Sequence, residues 1–285
     1  MIVDCFTFFN ELDLLEVRLH TLAPYVDAFI LSEANRTFQG AEKPLYFHEH
    51  RHDVRFACGR PILAVSVDLS AMDGIEYEGQ RVSPWCREEI QRRLIAQAFD
   101  STVGPPVMSS RWDLIHDLRP SDRIILSDLD EIPQLDFFRH FAHTNPGTLA
   151  WKQTLYYYWV NMRCWDWVGP VSCTFESFNN QFGGDMQQLR NSRGEAQYEV
   201  YGGWHFSFLG GREAIKEKME AFSHTEYRHC ADPANIRYAL TRGWKHNSDV
   251  FGRKMHFELM PDDSHLPRYL AEHKERFKDW WFHED

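Results

Sequence analysis

The 285-residue sequence has no excess of positive charge, no CxxC pair among its cysteines, and no apolar run long enough to cross a bilayer. Each absence excludes something. With 31 basic against 42 acidic residues and a net charge of −11, neither nucleic acid nor an anionic membrane surface is expected as the main partner. A local arginine cluster acting with a metal can still hold a diphosphate. The six cysteines, Cys5, Cys58, Cys86, Cys164, Cys173 and Cys230, read as reduced thiols of a cytosolic protein. The opening Met1-Ile2-Val3-Asp4-Cys5 lacks the basic n-region of a signal peptide, and nothing approaches the roughly 18 apolar residues of a transmembrane segment. Repeats, low-complexity tracts and domain linkers are missing too. These absences predict a cytoplasmic protein with no transmembrane segment.

Aromatic residues, in contrast, are plentiful. Ten Trp, eleven Tyr and 21 Phe exceed what a core of this size usually needs. The surplus either faces a flat, partly apolar ligand such as a sugar ring or thickens the core. The length fits one α/β domain, residues 1–230, with a helical C-terminal extension, residues 231–285, packed on it.

Along the first half, strand and helix patterns alternate. Ile2 to Phe9 reads as a strand, followed by an amphipathic helix from Asn10-Glu11 with Leu12, Leu15, Leu19 and Leu22 inward, ended by Pro24. Val26 to Ser32 and Ile62 to Val67 read as strands, Arg87 to Phe99 as a helix, Gly104-Pro105-Pro106 as a loop, and Trp112 to Leu118 as a helix. Pro120-Ser121-Asp122 turns into a strand over residues 123–127. That order predicts a mixed, mostly parallel sheet flanked by helices, with functional groups at its carboxyl edge. Further on, Thr148 to Arg163 reads as an aromatic strand or hairpin, and after Gly169-Pro170 comes a short helix from about Thr174 to Phe182, followed by a Gly183-Gly184 break. Residues 185–203 read as loop or edge strand, Trp204 to Leu209 as a strand, and Arg212 to Phe222 as a helix.

Ile124-Ile125-Leu126-Ser127-Asp128-Leu129-Asp130-Glu131-Ile132-Pro133 carries the most chemistry. A buried strand delivers two carboxylates, two residues apart, at its carboxyl end. In a regular strand these share a face and point into one crevice. Such close like charges are unfavourable unless a cation or ribose hydroxyls satisfy them, and a hard divalent ion that also grips a diphosphate would do so. Phosphohydrolases that use a DxD nucleophile are the rival reading. They place the motif on the first strand with Thr two residues after the second Asp, where this sequence has Ile132. A catalytically silent carbohydrate-binding protein is a third reading.

Several spaced blocks coincide with one family. They are residues 4–18, from Asp4-Cys5-Phe6-Thr7 through Asn10-Glu11-Leu12 to Arg18; Ser32-Glu33 with Thr37-Phe38-Gln39-Gly40 and Lys43-Pro44-Leu45; Arg87-Glu88 with Gln91-Arg92; the Asp128–Pro133 motif; and Gly203-Trp204-His205-Phe206-Ser207 with Phe222-Ser223-His224. Together, over roughly residues 1–225, they resemble glycosyltransferase family 17. The resemblance implies a GT-A-like, Rossmann-related fold and an inverting transfer from a UDP-sugar, UDP-GlcNAc in the animal enzyme, to a glycan or glycolipid acceptor. It also implies a divalent cofactor. The family's animal enzyme is a Golgi membrane protein, so its acceptor does not carry over to a chain read as unanchored.

By the same resemblance, Asp128 meets the ribose side and the metal, Asp130 binds the metal, and His205 is a late histidine ligand or else a core histidine. An imidazole beside carboxylates suits Mn²⁺ better than Mg²⁺. The carboxyl ends of the first two strands nominate Phe6, Thr7, Asn10, Glu11 and Glu33 for the nucleotide sugar, although Glu11 and Glu33 equally suit helix capping. Arg87 and Gln91, one helical turn apart, can reach the same ligand or stay on the surface. For the base that takes the acceptor's proton, Glu176 at a helix start and Asp185 after Gly183-Gly184 are the candidates, each also a plausible capping or turn residue. Tyr158, Trp165 and Trp167 either stack on acceptor sugars or belong to the core.

Overall fold

The computed structural model describes residues 1–77, 80–100 and 118–283. The chain opens with β1 (Ile2–Phe8), α1 (Leu12–Leu22), β2 (Ala28–Ala34), α2 (Tyr46–His50) and β3 (Ile62–Val67). A small hairpin, β4 (Glu76–Tyr77) and β5 (Gln80–Arg81), precedes α3 (Pro84–Arg93); β6 (Arg123–Asp128) and β7 (Glu131–Pro133) follow. The middle contributes α4 (Phe138–Thr144), β8 (Leu149–Tyr157), β9 (Met162–Thr174), α5 (Phe175–Asn180), α6 (Met186–Asn191), β10 (Tyr198–Ser207) and α7 (Gly211–Ala221). The last part holds α8 (Pro233–Tyr238), β11 (Glu258–Leu259) and α9 (Arg268–Glu272).

Among the described residues nine strands form one mixed sheet in the order β3-β2-β1-β6-β9-β8-β10-β7, with β11 on β9. β3, β2, β1 and β6 run parallel. β9 turns antiparallel against β6 and β8, β10 is parallel to β8, and β7 is antiparallel to β10. All residues of β2 are buried, as expected of a parallel strand covered on both faces. On one face Leu15, Leu19 and Leu22 of α1 pack on Phe6, Phe29 and Leu31. On the other, Ile95, Ala98 and Leu189 cover Val3, Cys5, Ile30 and Ile124. The 3₁₀ turn Leu94–Phe99 finishes the helix read from residue 87. That helix starts earlier, where the Ser83 side chain accepts from the Cys86 amide and Pro84 takes the first turn.

The second half departs more from the sequence reading. The aromatic stretch is the β8–β9 hairpin. Its second strand runs past Arg163 and through Gly169-Pro170 as far as Thr174. A Cβ at Gly169 would stand 2.6 Å from Gln153 Oε1 and 2.9 Å from Glu131 Cδ, so glycine is there for close approach. Residues 185–203 contain α6 and the start of β10. Only Met186 and Leu189 anchor α6 in the apolar core, too few for a legible period. The Gly104-Pro105-Pro106 loop and the 112–118 helix, Leu118 apart, lie outside the described residues. Towards the C-terminus, Leu266, Leu270, Phe277, Trp280 and Trp281 join the α1-side core, while Cys230, Ile236, Val250 and Met255 pack with Tyr157 and Tyr158.

Candidate active site

At the carboxyl ends of β1 and β6 the sheet opens into a cavity of about 330 Å³. One wall is charged, with Glu11, Glu88, Arg92, Asp128, Asp130, Glu131, His205 and Lys218; another is aromatic, with Trp85, Tyr157, Trp165, Trp167, Phe222, Tyr227 and Phe251.

The acidic motif reaches this cavity through a turn rather than along a strand. β6 ends at Asp128, and β7 starts at Glu131. The Asp130 carbonyl accepts from the Phe206 amide at 2.8 Å. Beside it Gly203 sits at φ +101°, where a Cβ would meet the Ile132 carbonyl oxygen at 2.5 Å. Only glycine lets β10 lie this close to β7, and that places His205 opposite Glu131.

A buried arginine from α1 fixes the turn. Arg18 donates through Nε and one terminal nitrogen to Asp4 at 2.9 and 2.7 Å, and to Ser127 Oγ at 2.6 Å. Its other terminal nitrogen donates to the carbonyls of Asp128, Leu129 and Glu131 at 3.0, 3.1 and 2.9 Å. The planar guanidinium satisfies backbone groups that a tight buried turn would otherwise leave unpaired.

Electrostatically the two aspartates differ. Asp128 accepts from Arg190 at 2.8 Å, Arg92 at 3.1 Å and the Thr7 hydroxyl at 3.3 Å. Burial works to raise its pKa, but Arg190 and Arg92 outweigh it and hold the carboxyl well below the usual range. Arg190 also grips Glu131, at 2.6 and 2.7 Å, and donates to the Gly169 carbonyl. Glu131 in turn accepts from the Trp167 indole at 2.7 Å. Asp130 faces Lys218 at 2.7 Å and His205 Nε2 at 3.6 Å. Here too burial is outweighed, by Lys218 and His205, and the carboxylate stays ionised.

Among the described residues, no three His, Cys, Asp or Glu side chains converge on a metal position. Asp128 is not drawn into one set with Asp130 and His205: its oxygens pair with Arg92 and Arg190, whereas Asp130 faces Lys218 and His205. Asp130 and His205 do stand together, and the buried Nδ1 of His205 has no partner. One carboxylate and one imidazole fit a divalent ion whose remaining ligands are diphosphate oxygens and water, the usual manner of Mg²⁺-sized ions.

The other sequence candidates divide. Thr7, Glu11, Gln91, Trp165 and Trp167 line the cavity; Phe6, Asn10, Glu33, Arg87, Tyr158, Glu176 and Asp185 do not. Phe6 is in the core beneath Arg18, and Asn10 donates its amide to Glu11. Glu33 caps α2 by accepting from the Phe47 and His48 amides. Gln91 spends its amide group on the Phe8 and Ser32 carbonyls. Arg87 reaches the Phe38 carbonyl and packs on Gly40, supporting a loop whose Thr37 and Phe38 do line the cavity. Tyr158 is buried and its hydroxyl accepts from the Val250 amide. Glu176 lies at the wrong end of the sheet. β9 runs antiparallel to β6 and pairs Thr174 with Arg123, about 16 Å down the strand from Asp128 at ~3.3 Å per residue. Asp185 caps α6 through the Gln187 and Gln188 amides and pairs with Arg93. The sequence reading passed over Arg190 and Lys218, which sit on helices distant in sequence from the motif.

Fold and site describe an α/β enzyme with a charged, aromatic-walled cleft at its sheet edge. The chain belongs to glycosyltransferase family 17, whose model matches residues 1–280. The phosphohydrolase and silent-binder readings are thereby set aside. The human β-1,4-mannosyl-glycoprotein 4-β-N-acetylglucosaminyltransferase is 26 % identical, across 94 % of this chain and 52 % of its own length. The rat enzyme of that name is 24 % identical, across 97 % of this chain and 54 % of its own. The chain thus spans about half the length of the curated relatives it matches. Among solved structures, that of galactosyltransferase LgtC with donor and acceptor sugar analogs is 11 % identical, with a TM-score of 0.33, covering 98 % of this chain and 95 % of that one. At that score the likeness carries no argument. No helix among the described residues is long and apolar enough to cross a membrane.

Proposed function

We propose that the chain is an inverting, divalent-metal-dependent transferase on a GT-A-like scaffold. It moves GlcNAc from UDP-GlcNAc to a glycan or glycolipid acceptor. The observation that carries this reading is the Asp130–His205 pair, set in one cavity with Lys218 and an aromatic wall. Asp130 and His205 would hold the ion, Mn²⁺ in preference to Mg²⁺, which when bound stabilises charge on the departing diphosphate. Asp128, fixed by Arg92 and Arg190, orients the ribose side beside Thr7. Trp85 and Trp165, each more than a third exposed on the cavity, offer faces for acceptor sugars. The choice of GlcNAc follows the name of the curated relatives. All six cysteines are free thiols, which suits a reducing, cytoplasmic setting.

Neither carboxylate nominated from sequence as base lines the cavity. Of those that do, Glu11 is the most loosely held, by the Asn10 amide at 3.2 Å and Lys218 at 3.6 Å. It is the group proposed to take the acceptor's proton. Thermal shift with UDP-, GDP- and CMP-sugars, with and without Mn²⁺, tests the donor and the metal together. UDP-GlcNAc is expected to stabilise only with Mn²⁺ and to yield a β-linked product by NMR. Protection by GDP-mannose instead would refute the donor, and an α-linked product the inversion. Glu11→Gln should cut kcat about 10²–10⁴-fold with little change in donor affinity; near wild-type turnover would remove Glu11 as base.

A further inference from the structure

We propose that Lys218 is the resting counter-ion of Asp130 and releases it when a divalent metal arrives together with a diphosphate, so that metal and nucleotide bind as one unit. The inference rests on the reading of Asp130 and His205 as the metal's protein ligands, and adds an order and a coupling to it.

Lys218 lies in the last turn of α7 and donates to Asp130 Oδ2 at 2.7 Å, with Glu11 Oε1 3.6 Å away. His205 Nε2 stands 3.6 Å from that same Asp130 oxygen. A metal bridging Asp130 Oδ2 and His205 would therefore sit against the ammonium, and two cations at that range repel strongly in a partly desolvated site. Of the neighbouring acids, Glu11 already shares Lys218 itself, and the other two are taken. Asp128 is already held by Arg92 and Arg190, and Glu131 by Arg190.

The three cations also differ in freedom. The side chains of Arg92 and Arg190 are 4–5 % exposed, and each guanidinium is tied to several acceptors. The Lys218 side chain is 27 % exposed, on a flexible four-carbon stem ending in a compact point charge. Metal alone would have to push this ammonium off Asp130 with no new anion to receive it. A diphosphate alone would draw Lys218 away and leave Asp130 and Glu11 without their cation. Bound together, the metal takes the carboxylate, the ammonium takes a phosphate oxygen, and every charge keeps a partner. Each ligand must then tighten the other by the same factor.

The test is titration of Mn²⁺ by EPR or calorimetry, with and without UDP, on wild type, Lys218→Met and Lys218→Arg. Wild type should bind Mn²⁺ weakly alone and about tenfold or more tightly with saturating UDP, within the usual range of coupling factors. Lys218→Met should bind Mn²⁺ alone about tenfold more tightly than wild type and lose most of the coupling. Lys218→Arg, able to grip Asp130 bidentately, should bind Mn²⁺ alone more weakly than wild type. This second variant serves also if the methionine variant does not fold. Mn²⁺ affinity without UDP that is the same in wild type and whichever variants fold would overturn the role of Lys218 and leave the metal site standing. Failure of wild type to bind Mn²⁺ even with UDP would overturn both.

Discussion

Asp128 and Asp130 stand two residues apart, and sequence alone makes their proximity an electrostatic cost. In the folded chain each has its own cations, so neutralising one removes attraction rather than repulsion. Asp130→Asn should thus lower the stability of the ligand-free protein by about 1–2 kcal/mol, the lower part of the range for a charge-assisted hydrogen bond because Lys218 is partly exposed. At about 2–4 °C per kcal/mol for a chain of this size, a fall of several degrees is expected by calorimetry at pH 7. A rise would mean that repulsion dominates. The pH dependence follows in sign. The folded carboxyl lies below its unfolded value of about 3.9, so its contribution is complete above that pH and is lost as pH falls through the folded value. The gap between wild type and variant should therefore close on acidification from about pH 4 downward.

At the level of elements, α1 reaches across β1 to hold the motif turn through a single side chain. Arg18→Lys keeps the charge but loses the planar fork, and cannot serve Asp4, Ser127 and three carbonyls at once. It should cost about 3 kcal/mol or more. Measured at low temperature, where circular dichroism still shows the native fold, it should also weaken Mn²⁺·UDP binding at least tenfold. Native-like affinity in the folded variant would reduce Arg18 to a purely stabilising residue. The parallel half was legible because β1, α1, β3 and β6 each carry their pattern within a few residues, as Ile124-Ile125-Leu126 does. The hairpin half was less so, since Gly169-Pro170 hides a strand that continues to Thr174, the glycine serving close packing against Glu131. The site was half legible for a related reason. Asp128, Asp130 and Glu131 sit in one stretch of chain, whereas Arg190 and Lys218 lie 62 and 88 residues from their partners Asp128 and Asp130. Glu176 satisfied every local criterion and failed on strand direction, which no local pattern reveals.

Considered as a whole, the molecule closes over its own beginning. Leu266, Leu270, Phe277, Trp280 and Trp281 pack with α1 in one core. Glu16, nearly fully buried on α1, accepts from Tyr269 and Arg276. Removing residues 261–285 would strip that core and expose its apolar face along α1 to water, at a cost of several kcal/mol. Such a truncated chain is expected to show no cooperative thermal transition; a normal transition would establish the tail as dispensable. The same geometry sets a timetable. Cavity residues run from Thr7 to Met255, and at about 5–20 residues per second a ribosome needs on the order of ten to fifty seconds to make the span between them. For much of that time β1 waits for β6, its hydrogen-bonded neighbour far along the message, and the acids that Arg190 and Lys218 will neutralise have already been made. Pairings this distant in the chain form slowly. Until β10 has been made and paired, the nascent chain offers open strand edges to any neighbour, the kind of exposed surface that chaperones shield.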